Sequence, residues 1–154
     1  MSLFSLISAK RYREAHTEAI ARLKVNGRDP EAVCALGLIA LDHQNYAKAL
    51  ELLEKAASLA PTDPMMRAQK SRALTLIGRQ SEARQEVEKA IDLQSRQNDL
   101  RAPVNDIIGV VLSRVGLHAQ AVPFFRRVVQ VDPTLANPHY NLAASLQFSG
   151  DFDG

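Results

Sequence analysis

From Glu31 to Asp42 the apolar residues Val33, Leu36, Gly37, Ala40 and Leu41 recur at intervals of three and four. That spacing marks one face of a helix. From Tyr46 the same rhythm returns in Tyr46, Ala49, Leu50, Leu53, Ala56 and Leu59, which predicts a second amphipathic helix. The polar stretch from His43 to Asn45 between them is a short turn, so the two helices pack antiparallel. Small residues at Gly37 and Ala49 let the two backbones approach closely.

The pattern is repeated along the chain. The strings YREA, YAKALELLEKAASLAP, QSEARQEVEKAIDL and HAQAVPFFRRVVQVDP align on an alanine: Ala15, Ala49 and Ala83 are 34 residues apart, and Ala121 follows after 38. Gly78, Gly116 and Gly150 keep the same phase. Small residues recur at Gly37, Ser71, Gly109 and Ala143 on the first helix, and at Ala56 and Ala90 on the second, while Pro61 and Pro133 close two units. No helix of such a pair can bury its stripe alone, so stability becomes a sum over stacked neighbours.

These columns resemble the tetratricopeptide repeat, a 34-residue helix-turn-helix unit with small residues where its helices cross and a closing proline. The resemblance implies an all-α fold, a right-handed solenoid of antiparallel helix pairs. Complete units span 30–63, 64–97 and 102–135, with an insertion at 98–101. A degenerate first repeat is expected over 1–29 and the first helix of a fifth over 136–154, so the chain reads as a piece of a larger array.

Departures from the pattern make further expectations. Lys70 stands in the column of Leu36, Ile108 and Leu142, and Arg67 replaces a large apolar residue. Lys70 is expected to lie along Ala73 and Leu74 with its ammonium in water. Four extra residues make about one helical turn, so the insertion lengthens the preceding helix without rotating its buried face. Pro123, well inside a second helix, is expected to loosen or bend its first turns.

With 46% hydrophobic residues in 154, the chain has enough apolar material for an ordinary core. Aromatics at 5% and no Trp, beside abundant Ala and Leu, are the composition of packed helices. Nineteen basic against 17 acidic residues leave a net charge of +2, which argues against a polycationic nucleic-acid arm. The lone cysteine, Cys34, excludes an intrachain disulfide and any multi-cysteine metal site. The apolar run from Val33 to Leu41 is about half the roughly 20 residues that span a bilayer, so no membrane segment is expected. Met1 to Lys10 lacks the basic start and cleavage site of a secretory signal, which makes the cytoplasm the expected location.

Chemistry is sparse. The chain has no glycine-rich phosphate loop, GxSxG, HExxH or CxxC. His16, His43, His118 and His139 are spread over four repeats, and Asp151, Asp153 and Gly154 are a fragment of a calcium loop without its other ligands. Neither a metal nor a cofactor is expected, and catalysis within these residues is not. Cys34 reads as a small, semi-buried thiol on the groove side of its helix, without a neighbouring base.

What remains is a surface. The resemblance puts a concave, partner-binding groove on the first helices, and its positions map to Leu38, Leu41, Asp42, Gln69, Arg72, Leu76, Asp106, Ile107, Val110, Arg114, Tyr140, Asn141 and Phe148, with Cys34, Met65, Asn137 and Gln147 in the same columns. An apolar groove with a few polar anchors suits a protein or peptide segment. In chaperone-adaptor members of the family a clamp of Lys, Asn and Arg holds acidic tails. The matching positions here supply Cys34, Leu38, Gln69, Pro103 and Ile107, or one unit later Ala68, Arg72, Ile107, Asn137 and Asn141, and neither set builds it. Arg72 and Arg114 could still engage a carboxylate bidentately. An RNA-reading helical repeat is the remote alternative, disfavoured by the apolar groove and balanced charge. The segment PHYNLAASLQFSGDFDG also resembles the tetratricopeptide region before a sulfotransferase domain in some bacterial proteins. That resemblance implies an accessory module, with the catalytic residues beyond Gly154. The expected function is a protein-interaction scaffold, and the unpaired last helix predicts self-association through that end.

Overall fold

The computed structural model describes residues 2–134 and 136–149, and all its regular structure there is helical. The elements are α1 (Leu3–Ser8), α2 (Tyr12–Val25), α3 (Pro30–Asp42), α4 (Tyr46–Leu59), α5 (Pro64–Ile77), α6 (Gln80–Gln97), α7 (Ala102–Arg114), α8 (His118–Val131) and α9 (Ala136–Ser149). Leu135 and residues 150–154, which carry the calcium-loop fragment and Gly150, lie outside the described residues. No helix among those described is long and apolar enough to cross a membrane.

Local chemistry sets the helix boundaries. At α3 and α5 an Asp accepts a backbone N–H and a Pro follows: Asp29 from Ala32 at 3.1 Å, Asp63 from Met65 at 2.9 Å. The carboxylate satisfies a donor the helix leaves free, and the proline's fixed φ suits the first turn. Each first helix of a pair ends on a left-handed residue, namely Lys10 (φ 59°), Gln44 (φ 61°), Gly78 (φ 91°) and Gly116 (φ 85°). In each turn the next N–H reaches back to a carbonyl five residues earlier, from Arg11 to Leu6, Asn45 to Ala40, Arg79 to Leu74 and Leu117 to Leu112, at 2.8–2.9 Å. Glycine takes this conformation freely, whereas Lys10 and Gln44 hold it at a cost of about 1 kcal/mol.

Helices pair as α3 with α4, α5 with α6 and α7 with α8. The first helices α3, α5, α7 and α9 touch in sequence and form the inner row, while α4, α6 and α8 touch only first helices. This is the solenoid the repeat predicts. The core runs along the row, through Val33, Leu53, Met66, Val87, Ile108, Leu112 and Phe125. The inner helices are buried more widely than one stripe: in α3, Ala32, Cys34, Ala35 and Leu38 are buried besides Val33, Gly37 and Leu41. A first helix has neighbours on three sides, α3 being covered by α1 and α2, by α4 and by α5. Ala143, by contrast, is exposed on α9.

Lys70 departs from expectation, whereas the insertion lengthens α6 by four residues, as expected, and Pro123 leaves α8 unbroken. Lys70 does not leave its ammonium in water; it bonds Glu54 of α4 and Glu86 of α6, at 3.2 Å to the latter, and its side chain is 17% exposed. Arg67 joins the same carboxylates at 3.6 and 3.2 Å. Two charged residues in an apolar column are thus held by counter-charges from both flanking helices. The insertion makes α6 18 residues long against 14 for α4 and α8. Its end reaches back, Gln97 donating to the Thr62 carbonyl and Arg101 pairing with Asp63 at 2.7 Å. α8 runs continuously from His118 to Val131 through Pro123, which is exposed, so the carbonyl that proline leaves unpaired can turn to water.

Candidate functional site

The inner row encloses an open groove of about 1170 Å³. α3 contributes Leu38, Leu41 and Asp42, α5 contributes Met65, Gln69, Arg72 and Leu76, and α7 contributes Pro103, Asp106 and Ile107. A smaller hollow of about 400 Å³ continues it between α7 and α9, lined by Asp106, Val110, Ser113, Arg114, Phe125, Asn137 and Asn141. These side chains share one side because i, i+3, i+4 and i+7 positions of each first helix face the same way.

The near wall comes from a segment that the repeat arithmetic left as degenerate. Phe4 and Ile7 of α1, Lys10 of the following turn and Tyr12 at the start of α2 line the groove beside α3. Leu3, Leu6 and Ile7, spaced by three and one, carry the signal for this short helix, which anchors through Leu3 against Ala32 and Ala35. Tyr12 meets His43 edge to face at 6.0 Å. Burial, and then the neighbouring Asp42 carboxylate, raise its phenol above the ordinary value.

Not every mapped residue faces the groove. Cys34 is fully buried in the core, and burial pushes its thiol up to about 12, so it is neither semi-buried nor reactive. Tyr140 stands 75% exposed outside both hollows, and Gln147 is exposed as well. Phe148, at 70% exposure, stacks on His118 with ring centroids 4.9 Å apart. On α9 the lining residues are Asn137 and Asn141, one turn apart; Phe148 shares their face but lies beyond the end of the hollow.

The polar groups of the groove divide into satisfied and unsatisfied. Glu31 pairs with Arg22 at 3.2 Å, and Arg101 is held by Asp99 and Asp63. Arg72's guanidinium makes no hydrogen bond or ion pair among the described residues. Arg114 donates to the Thr75 hydroxyl at 3.3 Å, and partial desolvation followed by repulsion from Arg72 lowers its pKa. Asp106 is half-buried; loss of water raises its pKa, and Arg72 partly offsets the rise. Gln69 is 6% exposed, with its Oε1 unpartnered and its Nε2 3.7 Å from the Met65 sulfur.

Residues suited to acid–base or metal chemistry are not gathered. His43 meets the Ile39 carbonyl at 2.8 Å, His118 the Ser113 hydroxyl at 3.3 Å and His139 the Pro133 carbonyl at 2.7 Å, on separate elements. Among the described residues no three His, Cys, Asp or Glu side chains are grouped to hold a metal ion.

Comparison with known proteins agrees with this architecture. Residues 30–63, which hold α3 and α4, match the model of the tetratricopeptide repeat. No curated protein matches the chain significantly. Among solved structures, TTC0263 of Thermus thermophilus, described as a thermophilic TPR protein, superposes with a TM-score of 0.71 at 23% identity over 98% of this chain and 81% of its own. MamA (AMB-1) gives 0.65 at 19% identity over 98% and 87%, and YrrB, described as a TPR protein with an unusual peptide-binding site, 0.61 at 18% over 98% and 76%. At such identities the likeness is one of fold. The chain has the helical-solenoid fold of these tetratricopeptide proteins, and residues 30–63 match the tetratricopeptide repeat in sequence as well.

Proposed function

We propose that this chain is an interaction scaffold whose concave groove binds an extended or helical segment of a protein partner. The observation that carries the reading is the groove itself. A row of buried first helices presents Leu38, Leu41, Met65 and Ile107 as an apolar floor, and among them stand polar groups that the fold leaves unmet, the Arg72 guanidinium and the Gln69 side-chain oxygen. An apolar concavity with a few convergent polar groups is the general form of a peptide site. YrrB, of the same fold, is described as having a peptide-binding site. Catalysis by the chain itself is not supported, because Cys34 is buried and its thiol raised, and the histidines are engaged one by one.

The test is affinity capture with the full chain and with the double variant Arg72→Glu, Arg114→Glu. Both side chains lie on the groove and neither is part of the core, so helicity by circular dichroism should be unchanged. Partners retained by the wild type and lost by the folded double variant support the groove; equal capture by both overturns it.

A further inference from the structure

We propose, building on the peptide reading above, that the groove selects an extended segment carrying an Asp or Glu: the Gln69 carboxamide pairs with a main-chain peptide group, and Arg72 with Arg114 holds the adjacent acidic side chain.

Gln69 is the first observation. Its carboxamide is almost wholly buried yet lines the groove, its oxygen has no partner, and its nitrogen faces only a thioether, a weak acceptor. Buried carboxamides are normally hydrogen-bonded. The oxygen is closed off from solvent in the empty groove, so the carboxamide must turn outward about its side-chain torsions to set its coplanar donor and acceptor against the N–H and C=O of a main chain passing along the groove.

The second observation is independent of Gln69. Arg72 lies one turn further along α5, and Thr75 one turn beyond that. The Thr75 hydroxyl donates to the Arg72 carbonyl at 2.6 Å and accepts from Arg114 at 3.3 Å, which ties the α7 cation to the α5 turn bearing Arg72. The two guanidiniums repel each other with no carboxylate in ion-pair contact with either. Towards the α1 and α7 ends of the groove Glu31 is met by Arg22 and Arg101 by Asp63 and Asp99, Asp42 faces the Tyr12 phenol, and Lys10 stands on the far wall beyond α3. Asp106 remains, half-buried and attracted to Arg72 without reaching it, and it leaves the centre one positive charge in excess. An incoming carboxylate would relieve the repulsion and take up guanidinium donors.

Spacing fits an internal acidic residue. Three helical residues from Gln69 to Arg72 advance about 4.5 Å, and an extended chain advances about 3.3 Å per residue. The acidic side chain therefore falls one or two residues from the peptide group that Gln69 reads. The groove is open and runs from α1 to α7, so chain can continue on both sides.

The experiment selects a phage library of randomised dodecapeptides on the full chain, then measures synthetic peptides of the enriched sequences by fluorescence anisotropy. Expected are clones sharing an Asp or Glu, at least tenfold weaker binding when it is replaced by Asn or Gln, and the same loss in the Arg72→Gln, Arg114→Gln variant. Gln69→Leu should weaken the acidic peptide and its amide counterpart by a similar factor, since it acts on the main chain. Ile107→Arg, on the groove floor, serves as the control for the site. Clones without acidic bias that are lost on Ile107→Arg would overturn this proposal and leave peptide binding in the groove standing. No enriched clones, or clones indifferent to every groove substitution, would overturn both.

Discussion

At Gly109 an added Cβ would lie 2.7–2.9 Å from three carbons of the Phe125 ring, whereas at Gly37 it would meet the Leu53 and Leu52 side chains at 3.0–3.2 Å. The two glycines occupy the same column of the repeat, but the contacts at Gly109 are closer than side-chain carbons tolerate, whereas those at Gly37 ask for a shift of only a few tenths of an ångström. Gly109→Ala should therefore destabilise by about 1–3 kcal/mol, despite alanine's better helix propensity. Gly37→Ala should fall within about 1 kcal/mol of wild type, since that propensity gain offsets a milder crowding. Urea denaturation of both variants decides it; equal losses would refute the distinction. Single residues also mark what sequence reading misses. The column identifies Lys70 as anomalous, yet its partners Glu54 and Glu86 lie 16 residues away on either side, on helices that touch α5 only in the folded chain. The separation of satisfied charges from unsatisfied Arg72 is likewise a tertiary property, invisible in a list of groove positions.

Among elements, the charged cluster acts as a clasp between α4, α5 and α6. Burial alone would raise the pKa of Glu86, but Lys70, then Arg67 and Lys89, outweigh it and the net shift is downward. A depressed carboxylate pKa contributes stability above its unfolded value, ordinarily 4.5 for this group, and the contribution is lost as pH falls through the lower folded value. Wild-type stability should decline below about pH 4.5, and Glu86→Gln should be weaker by about 1–2 kcal/mol at pH 7, with the difference closing in acid. Thermal melts from pH 7 to 3 test this; a constant offset across the range would assign the loss to packing and not to charge. The helices themselves were legible wherever apolar spacing and Asp-Pro starts coincided, as at Asp29–Pro30 and Asp63–Pro64. α1 was not, because six residues hold too little periodicity and its turn uses Lys10, without the glycine that marks the turns after α5 and α7.

At the scale of the molecule, each pair of helices leans only on its neighbours among the described residues. Leu53, fully buried between α3 and α4, should cost about 2–5 kcal/mol when replaced by alanine. In a chain of nearest-neighbour contacts the damage should fade with distance. Amide exchange in Leu53→Ala should accelerate most in α3 and α4, less in α5 and α6, and least in α8. Uniform acceleration would show that the array unfolds as one cooperative unit.

A chain of near copies faces a particular hazard: every second helix offers a surface resembling that of every other. Between α6 and α7 the buried Gln94 side-chain amide donates to the Asn105 Oδ1 at 2.8 Å, and Arg127 of α8 donates to the same oxygen at 3.3 Å. Against a wholly apolar stripe the Gln94 amide and the Asn105 side-chain oxygen would lose these partners, each at a cost of about 1–3 kcal/mol. The junction after the insertion thus carries its own lock and key, and it fixes the order in which units follow one another where apolar stripes alone would tolerate an exchange.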